Sequence, residues 1–105
     1  MAIFEMRTYT LKPNMTQAYL RFYHEHGSAI HVRNLGPSVG WWQSDIGTLN
    51  QIIMLWRYED YAERERRREA LAADPEWQAF IPQTAAYIEK MENRILRPTF
   101  FSPMQ

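Results

Sequence analysis

Hydrophobic and polar positions alternate from residue 3 to residue 11, with Phe4, Met6, Thr8 and Thr10 on one side and Ile3, Glu5, Arg7, Tyr9 and Leu11 on the other. A repeat of two belongs to a β-strand, whose successive side chains point to opposite faces. Pro13 and Asn14 interrupt it. Met15, Ala18, Tyr19, Phe22 and His26 then recur at helical spacing, with Gln17, Arg21 and Glu25 opposite. Gly27 ends or bends this helix, and a second short helical piece carries Ala29 and Ile30 before Gly36 and Pro37 stop it.

Residues 38 to 45 and 49 to 58 are rich in Trp, Val and Ile and flank Ile46, Gly47 and Thr48, which predicts a hairpin. The pattern turns helical from Asp60 through Ala73, Asp74 can cap a further turn with Pro75 at its first position, and Pro82 restarts or kinks it. Residues 90 to 97 predict a last strand, although residues 87 to 92 could equally extend the helix. The order strand, helix, strand, strand, helix, strand is the split βαβ arrangement. It predicts an α+β, ferredoxin-like fold, a four-stranded antiparallel sheet with helices on one face, and 105 residues make one such domain.

Helices on one face leave the other to be covered. Trp41 and Trp42 are adjacent and must point to opposite faces, and the unbroken run Ile52 to Trp56 fails to alternate as a strand with one wet face would. Pairing two sheets face to face in a homodimer covers the second side. The alternative cover is a C-terminal arm carrying Phe100 and Phe101.

Composition narrows the partners. Twelve Lys plus Arg balance twelve Asp plus Glu, which removes the field that draws proteins to nucleic acid. The charged run of residues 63 to 69 interleaves Glu with Arg64, Arg66, Arg67 and Arg68, and it predicts a solvated helix face. The chain has no cysteine, which excludes disulfides and thiolate chemistry and fits a reducing compartment such as the cytoplasm. The first eleven residues do not have the pattern of a signal peptide. The longest apolar run falls far short of the roughly 20 residues a membrane span needs.

Three segments carry a further signal: residues 4 to 13 (FEMRTYTLKP), Leu49-Asn50-Gln51 leading to Leu55-Trp56, and residues 70 to 77 (ALAADPEW). With Ile95-Leu96-Arg97-Pro98 and Phe101-Ser102-Pro103 they span nearly the whole chain, which resembles the NIPSNAP family. The resemblance implies a ferredoxin-like unit that dimerises into an α/β barrel. It implies little about activity, since the family is tied to vesicle trafficking and mitochondria in animals, while the wider barrel superfamily includes cofactor-free oxygenases, isomerases and haem-handling enzymes. Family members often place a His or another polar group where this chain has Met54.

Candidate chemistry collects on two elements. Glu5, Arg7 and Tyr9 form a polar row on a strand that the topology makes central, so they need partners or a ligand. One resolution pairs Glu5 with Arg7; the other uses Arg7 and Tyr9 to hold an anion. Tyr19, Tyr23 and His26 on the first helix offer proton donors, although a lone His in an apolar stripe is more often a core residue. Asn50 and Trp56 share a face of the third strand and could orient a small aromatic ligand. His24, His26 and His31 have no recognised ligand spacing, so no metal is expected, and no motif calls for a cofactor. Two functions stay open: a small-molecule site between sheet and helices, with or without cofactor-free catalysis, or an interaction module with a filled core and an exposed apolar patch.

Overall fold

The computed structural model describes residues 2–105. The alternating first segment is strand β1 (Ile3–Leu11), followed by helices α1 (Thr16–His26) and α2 (Ser28–Leu35) and strands β2 (Gly40–Gln43) and β3 (Gln51–Tyr58). Helices α3 (Tyr61–Ala73) and α4 (Pro75–Phe80), a 3-10 helix (Ile81–Ala86) and strand β4 (Ile88–Leu96) complete the order. The sheet runs β2-β3-β1-β4, and every pairing is antiparallel. This is the ferredoxin-like α+β arrangement expected from the pattern.

Local chemistry sets the boundaries. Asn14 adopts the left-handed region with φ 63°, which a short polar side chain tolerates, and so turns the chain between β1 and α1. The Asp60 carboxylate accepts the Glu63 N–H at 2.7 Å, while Glu63 reaches back to the Glu59 N–H at 2.7 Å, a reciprocal cap at the start of α3. Asp74 caps α4 through the Glu76 N–H, with Pro75 inside the first turn, and Pro82 opens the 3-10 helix. Two expectations change. The hairpin strands are shorter than residues 38 to 45 and 49 to 58, because Gly47 (φ 112°) and Asn50 (φ 58°) take residues 44–50 out of the ladder. Residues 88–92 belong to β4 and not to a helix, because their backbone pairs with β1 from Leu11↔Ile88 onward.

The core lies between the sheet and the helices. Ile52, Met54, Trp56 and Tyr58 of β3 are buried there beside Ile3, Glu5 and Leu11 of β1, under Tyr19, Tyr23, Ile30, Leu35, Leu71 and Phe80. Trp41 pairs with Met54 in register and joins this side, whereas Trp42 pairs with Ile53 on the opposite face and is 54% exposed. On that face the C-terminal segment closes one end only. Pro98, Ser102 and Met104 border a groove of about 340 Å³ over Phe4, Leu55 and Leu96, and the Arg57 Nε–H donates to the Gln105 carbonyl at 2.9 Å. Phe100 and Phe101 themselves face solvent, 95% and 73% exposed, so they are not the residues by which the arm covers the sheet. Among the described residues no helix is long and apolar enough to cross a membrane.

Gly27 sits where α1 passes into α2 beneath α4. A Cβ there would lie 2.6 Å from Phe80 Cζ and 2.9 Å from two more ring atoms. Gly27→Ala is expected to destabilise the fold by about 1–3 kcal/mol, as overpacking of a filled site does. Urea denaturation measures it, and an unchanged midpoint would contradict the packing described.

Candidate functional site

The site starts from one carboxylate. Glu5 on the central strand is 0% exposed, and a charge in that position must be partnered. Its Oε2 accepts Arg64 Nη2 at 2.7 Å, Asn93 Nδ2 at 2.7 Å and Arg7 Nη1 at 3.2 Å; Oε1 takes a long 3.5 Å contact from the Tyr58 hydroxyl. Arg64 comes from α3, Asn93 from β4 and Tyr58 from β3, so the carboxylate ties three elements to β1. Burial would raise the Glu5 pKa. The Arg64 hydrogen bond, the Arg68 charge, the Asn93 hydrogen bond and the Arg7 charge outweigh it and hold the carboxyl below its ordinary value.

Arg7 extends the cluster toward the aromatic side. Its Nε lies 3.4 Å from the Tyr9 hydroxyl and its guanidinium 5.8 Å from the Tyr9 ring centroid. Tyr9, Tyr19, Tyr23, His31, Trp41 and Trp77 then wall a cavity of about 70 Å³. Ile81, Thr84, Ile88 and Met91 form its rim. That volume is several times what one water needs.

Inside it, the Tyr23 hydroxyl and His31 Nδ1 share a hydrogen bond of 2.7 Å. The His31 ring lies 4.7 Å from Trp77, stacked, and 4.5 Å from Trp56. Burial, followed by the positive charges of Arg68 and Arg7, pushes the imidazole down to about 3, so it is neutral at physiological pH. Burial, reinforced by neighbouring phenols, pushes Tyr19 and Tyr23 up, so they are neutral as well. The cavity wall is therefore apolar rings with uncharged hydrogen-bonding tips, and the charge lies beside it in the arginine cluster.

Of the residues singled out from the sequence, Tyr9, Tyr19 and Tyr23 line the cavity, Arg7 adjoins it through Tyr9, and Trp56 is wholly buried beside His31. Two fall elsewhere. His26 is exposed, 3.6 Å from Glu25, because α1 ends there and its last turn faces a surface groove with Glu76 and Gln83. Asn50 is in the turn before β3, with its backbone carbonyl accepting the Leu11 N–H at 2.7 Å, so it does not share the strand face with Trp56.

Sequence reasoning missed His31, Arg64, Arg68 and Asn93. The charged run is only partly solvated: Glu65, Arg66 and Glu69 are exposed, whereas Arg64 and Arg68 turn inward. The spacing Arg64, Arg68, Leu71 was the available signal, since i, i+4, i+7 is one helix face and it ends in a buried leucine.

The NIPSNAP family model matches residues 4–103. A NIPSNAP family protein from Agrobacterium tumefaciens strain C58 superposes with TM-score 0.96 at 44% identity over 100% of both chains. A NIPSNAP-like domain protein from Burkholderia xenovorans gives 0.92 at 41%, covering 97% of this chain and 89% of that one. NipSnap homolog 3B of Mus musculus is 35% identical over 88% of this chain and 37% of its own length, and NipSnap homolog 2 of Homo sapiens is 34% identical over 98% and 35%. The chain thus spans little more than a third of these animal relatives. Solved structures at 10–15% identity, with TM-scores of 0.64–0.69, share the fold alone.

The cluster makes two predictions. Glu5→Ala leaves Arg7, Arg64 and Arg68 without their shared carboxylate and is expected to cost about 3–5 kcal/mol. Arg7→Ala leaves Glu5 with Arg64 and Asn93 and is expected to cost on the order of 1 kcal/mol. Chemical denaturation of both variants checks the ratio, and equal losses would contradict it.

The second concerns pH. Between about 3 and the ordinary 6.5, unfolding lets His31 take up a proton that the folded state refuses, so stability present above 6.5 is lost as pH falls through that window. Glu5, held below its ordinary 4.5, adds a loss of the same sign further into acid. The expected slope from His31 alone approaches ~1.4 kcal/mol per pH unit. Urea denaturation across this range should show the slope in the native protein and a flatter profile in His31→Gln; identical profiles would contradict it.

Proposed function

The chain belongs to the NIPSNAP family, and from that premise we propose that it binds a small molecule, anionic or aromatic in character, between its sheet and its helices, as one half of a face-to-face homodimer. The observation that carries the reading is the cavity walled by Tyr9, Tyr19, Tyr23, His31, Trp41 and Trp77 with the charged Arg7 beside it. Concave, mainly apolar sites with a few convergent polar groups are the ordinary form of a ligand pocket. Flat rings on several sides suit a planar body, and the Tyr23–His31 pair supplies neutral hydrogen bonds to orient it.

Cofactor-free catalysis is the finer possibility. The Tyr23–His31 hydrogen bond has the geometry of an acid–base pair, but both groups are held far from neutrality, one down to about 3 and the other upward. General acid–base catalysis works best with a pKa near the working pH. Binding is therefore the reading supported for these groups in the ligand-free protein.

The open sheet face supports the dimer. Trp42 is half exposed there, and Met6, Ile53 and Leu55 are only partly covered. Apolar area of this kind is usually buried against a partner. The exposure of Ile46, Leu49, Phe100 and Phe101 favours the second reading, an interaction module, and the two readings can coexist in one protein.

Ile81 is half exposed at the cavity rim, so Ile81→Trp should close the entrance at little cost to stability. Titration of planar aromatic compounds, followed by chemical shifts of the Trp41 and Trp77 indoles, is expected to show binding in the native protein and its loss in Ile81→Trp. Ligand shifts that persist in the variant, or none in either protein, would remove the cavity from the account. For the dimer, light scattering should give twice the 12.6 kDa chain mass, and Trp42→Asp should halve it; a native particle of one chain mass would refute the pairing.

A further inference from the structure

We propose that the guanidinium of Arg68 is the receptor for the carboxylate of a small organic acid. The inference rests on the cavity reading only for the body of that ligand; the anion site has its own grounds.

The first ground is charge. Arg7, Arg64 and Arg68 surround one ionised carboxylate, so three positive charges meet a single negative one in a largely covered space. The groups that act on Arg68 are Arg7, Glu5, Tyr58 and Tyr9, and Glu5 is the one carboxylate among them. The other acids of α3 are occupied or remote: Glu63 holds Arg67 at 2.8 Å and caps the helix, while Glu65 and Glu69 are exposed. Arginine cannot relieve the excess by losing its proton. An anion from solution can.

The second ground is unmet hydrogen bonding. Among the described residues, three buried side-chain donors have no acceptor: Arg68 Nη1, Arg64 Nε and Trp56 Nε1. All three belong to the surroundings of Glu5. Arg64 bonds its Oε2, Trp56 is its register partner on β3, and the Arg68 charge acts on it. Trp56 is 1% exposed, so bulk solvent does not satisfy its N–H. Buried donors are nearly always paired, and several unpaired together, two of them on guanidinium groups, call for an acceptor rich in lone pairs. Glu5 Oε2 already accepts three bonds, Oε1 takes only the long Tyr58 contact, and Arg68 forms no hydrogen bond or ion pair with either oxygen.

The third ground selects the class of anion. Guanidinium forks match both carboxylate and phosphate. His31 lines the aromatic cavity and lies within electrostatic reach of Arg68, and that cavity offers an organic body a place that inorganic phosphate would not use. A carboxylate attached to a small planar group satisfies both halves.

The test compares benzoate, benzyl alcohol, acetate and inorganic phosphate by calorimetry and thermal melting at low salt, on the native protein, Arg68→Met and Arg68→Lys. Benzoate is expected to bind roughly tenfold or more tighter than benzyl alcohol, as a charge-assisted hydrogen bond provides. Arg68→Met should abolish that preference while keeping benzyl alcohol binding, and Arg68→Lys should restore part of it. Without ligand, Arg68→Met should melt at the native temperature or above, since burial and the neighbouring Arg7 charge disfavour this guanidinium by more than the shared Glu5 carboxylate offsets. A ligand-free melting temperature several degrees lower would mean that Arg68 is already compensated within the fold, and would overturn the proposal. So would equal affinity for benzoate and benzyl alcohol, a benzoate preference that survives in Arg68→Met, or an equally strong Arg68-dependent response to phosphate. Acetate binding as well as benzoate, both dependent on Arg68, would keep the anion site and remove the cavity reading; benzyl alcohol binding without any carboxylate advantage would do the reverse.

Discussion

A carboxylate with no access to water, set in the middle of the central strand, constrains everything around it. Glu5 stays ionised because α3 delivers Arg64, β4 delivers Asn93 and β1 itself supplies Arg7 two residues on. Removing one partner from such a group costs far more than the pair's net attraction, because the remaining charge is left in a poor dielectric. The placement of α3 across β1 and β3 therefore has an electrostatic term in addition to the burial of Leu71. Hydrophobic contact alone tolerates sliding; three converging hydrogen bonds do not.

The same cluster divides the space under the helices into two environments. On the arginine side the charge balance is positive. On the other, Tyr19, Tyr23, Trp41 and Trp77 enclose a small volume whose polar tips are neutral. His31 stands at the join, stacked on Trp77 and bonded to Tyr23, and the adjacent guanidinium charges help to keep it unprotonated.

Strands and helices were legible because their signals are local. Alternation located β1, and Asp60, Asp74 and Pro75 marked helix starts through caps that the structure contains. The polar row Glu5, Arg7, Tyr9 was legible as well, since it interrupts a strand that should be apolar. What escaped were residues whose role depends on which helix face turns inward. His26 continued an apolar stripe on paper, yet α1 ends there and leaves it in solvent, while His31 in a short helix of undefined ends became the buried one. Arg64 and Arg68 were hidden by their own neighbours: interleaved glutamates imitate a solvated face, and only the buried acceptor on a distant strand reveals which arginines turn inward. Asn50 was misplaced for a different reason, since its left-handed backbone removes it from the strand whose face it was expected to share.

The account depends on Glu5 being ionised inside the arginine cluster, and its own titration tests that most directly. A carbon-13 NMR titration of the Glu5 side-chain carboxyl, with Glu5→Gln to assign the resonance, reports the protonation state of this one group. The predicted result is a midpoint below the ordinary value of 4.5, with the resonance still that of a carboxylate when exposed glutamates have begun to protonate. A midpoint above 4.5 would show that burial outweighs the guanidinium groups, and would contradict the charge balance on which the site is built.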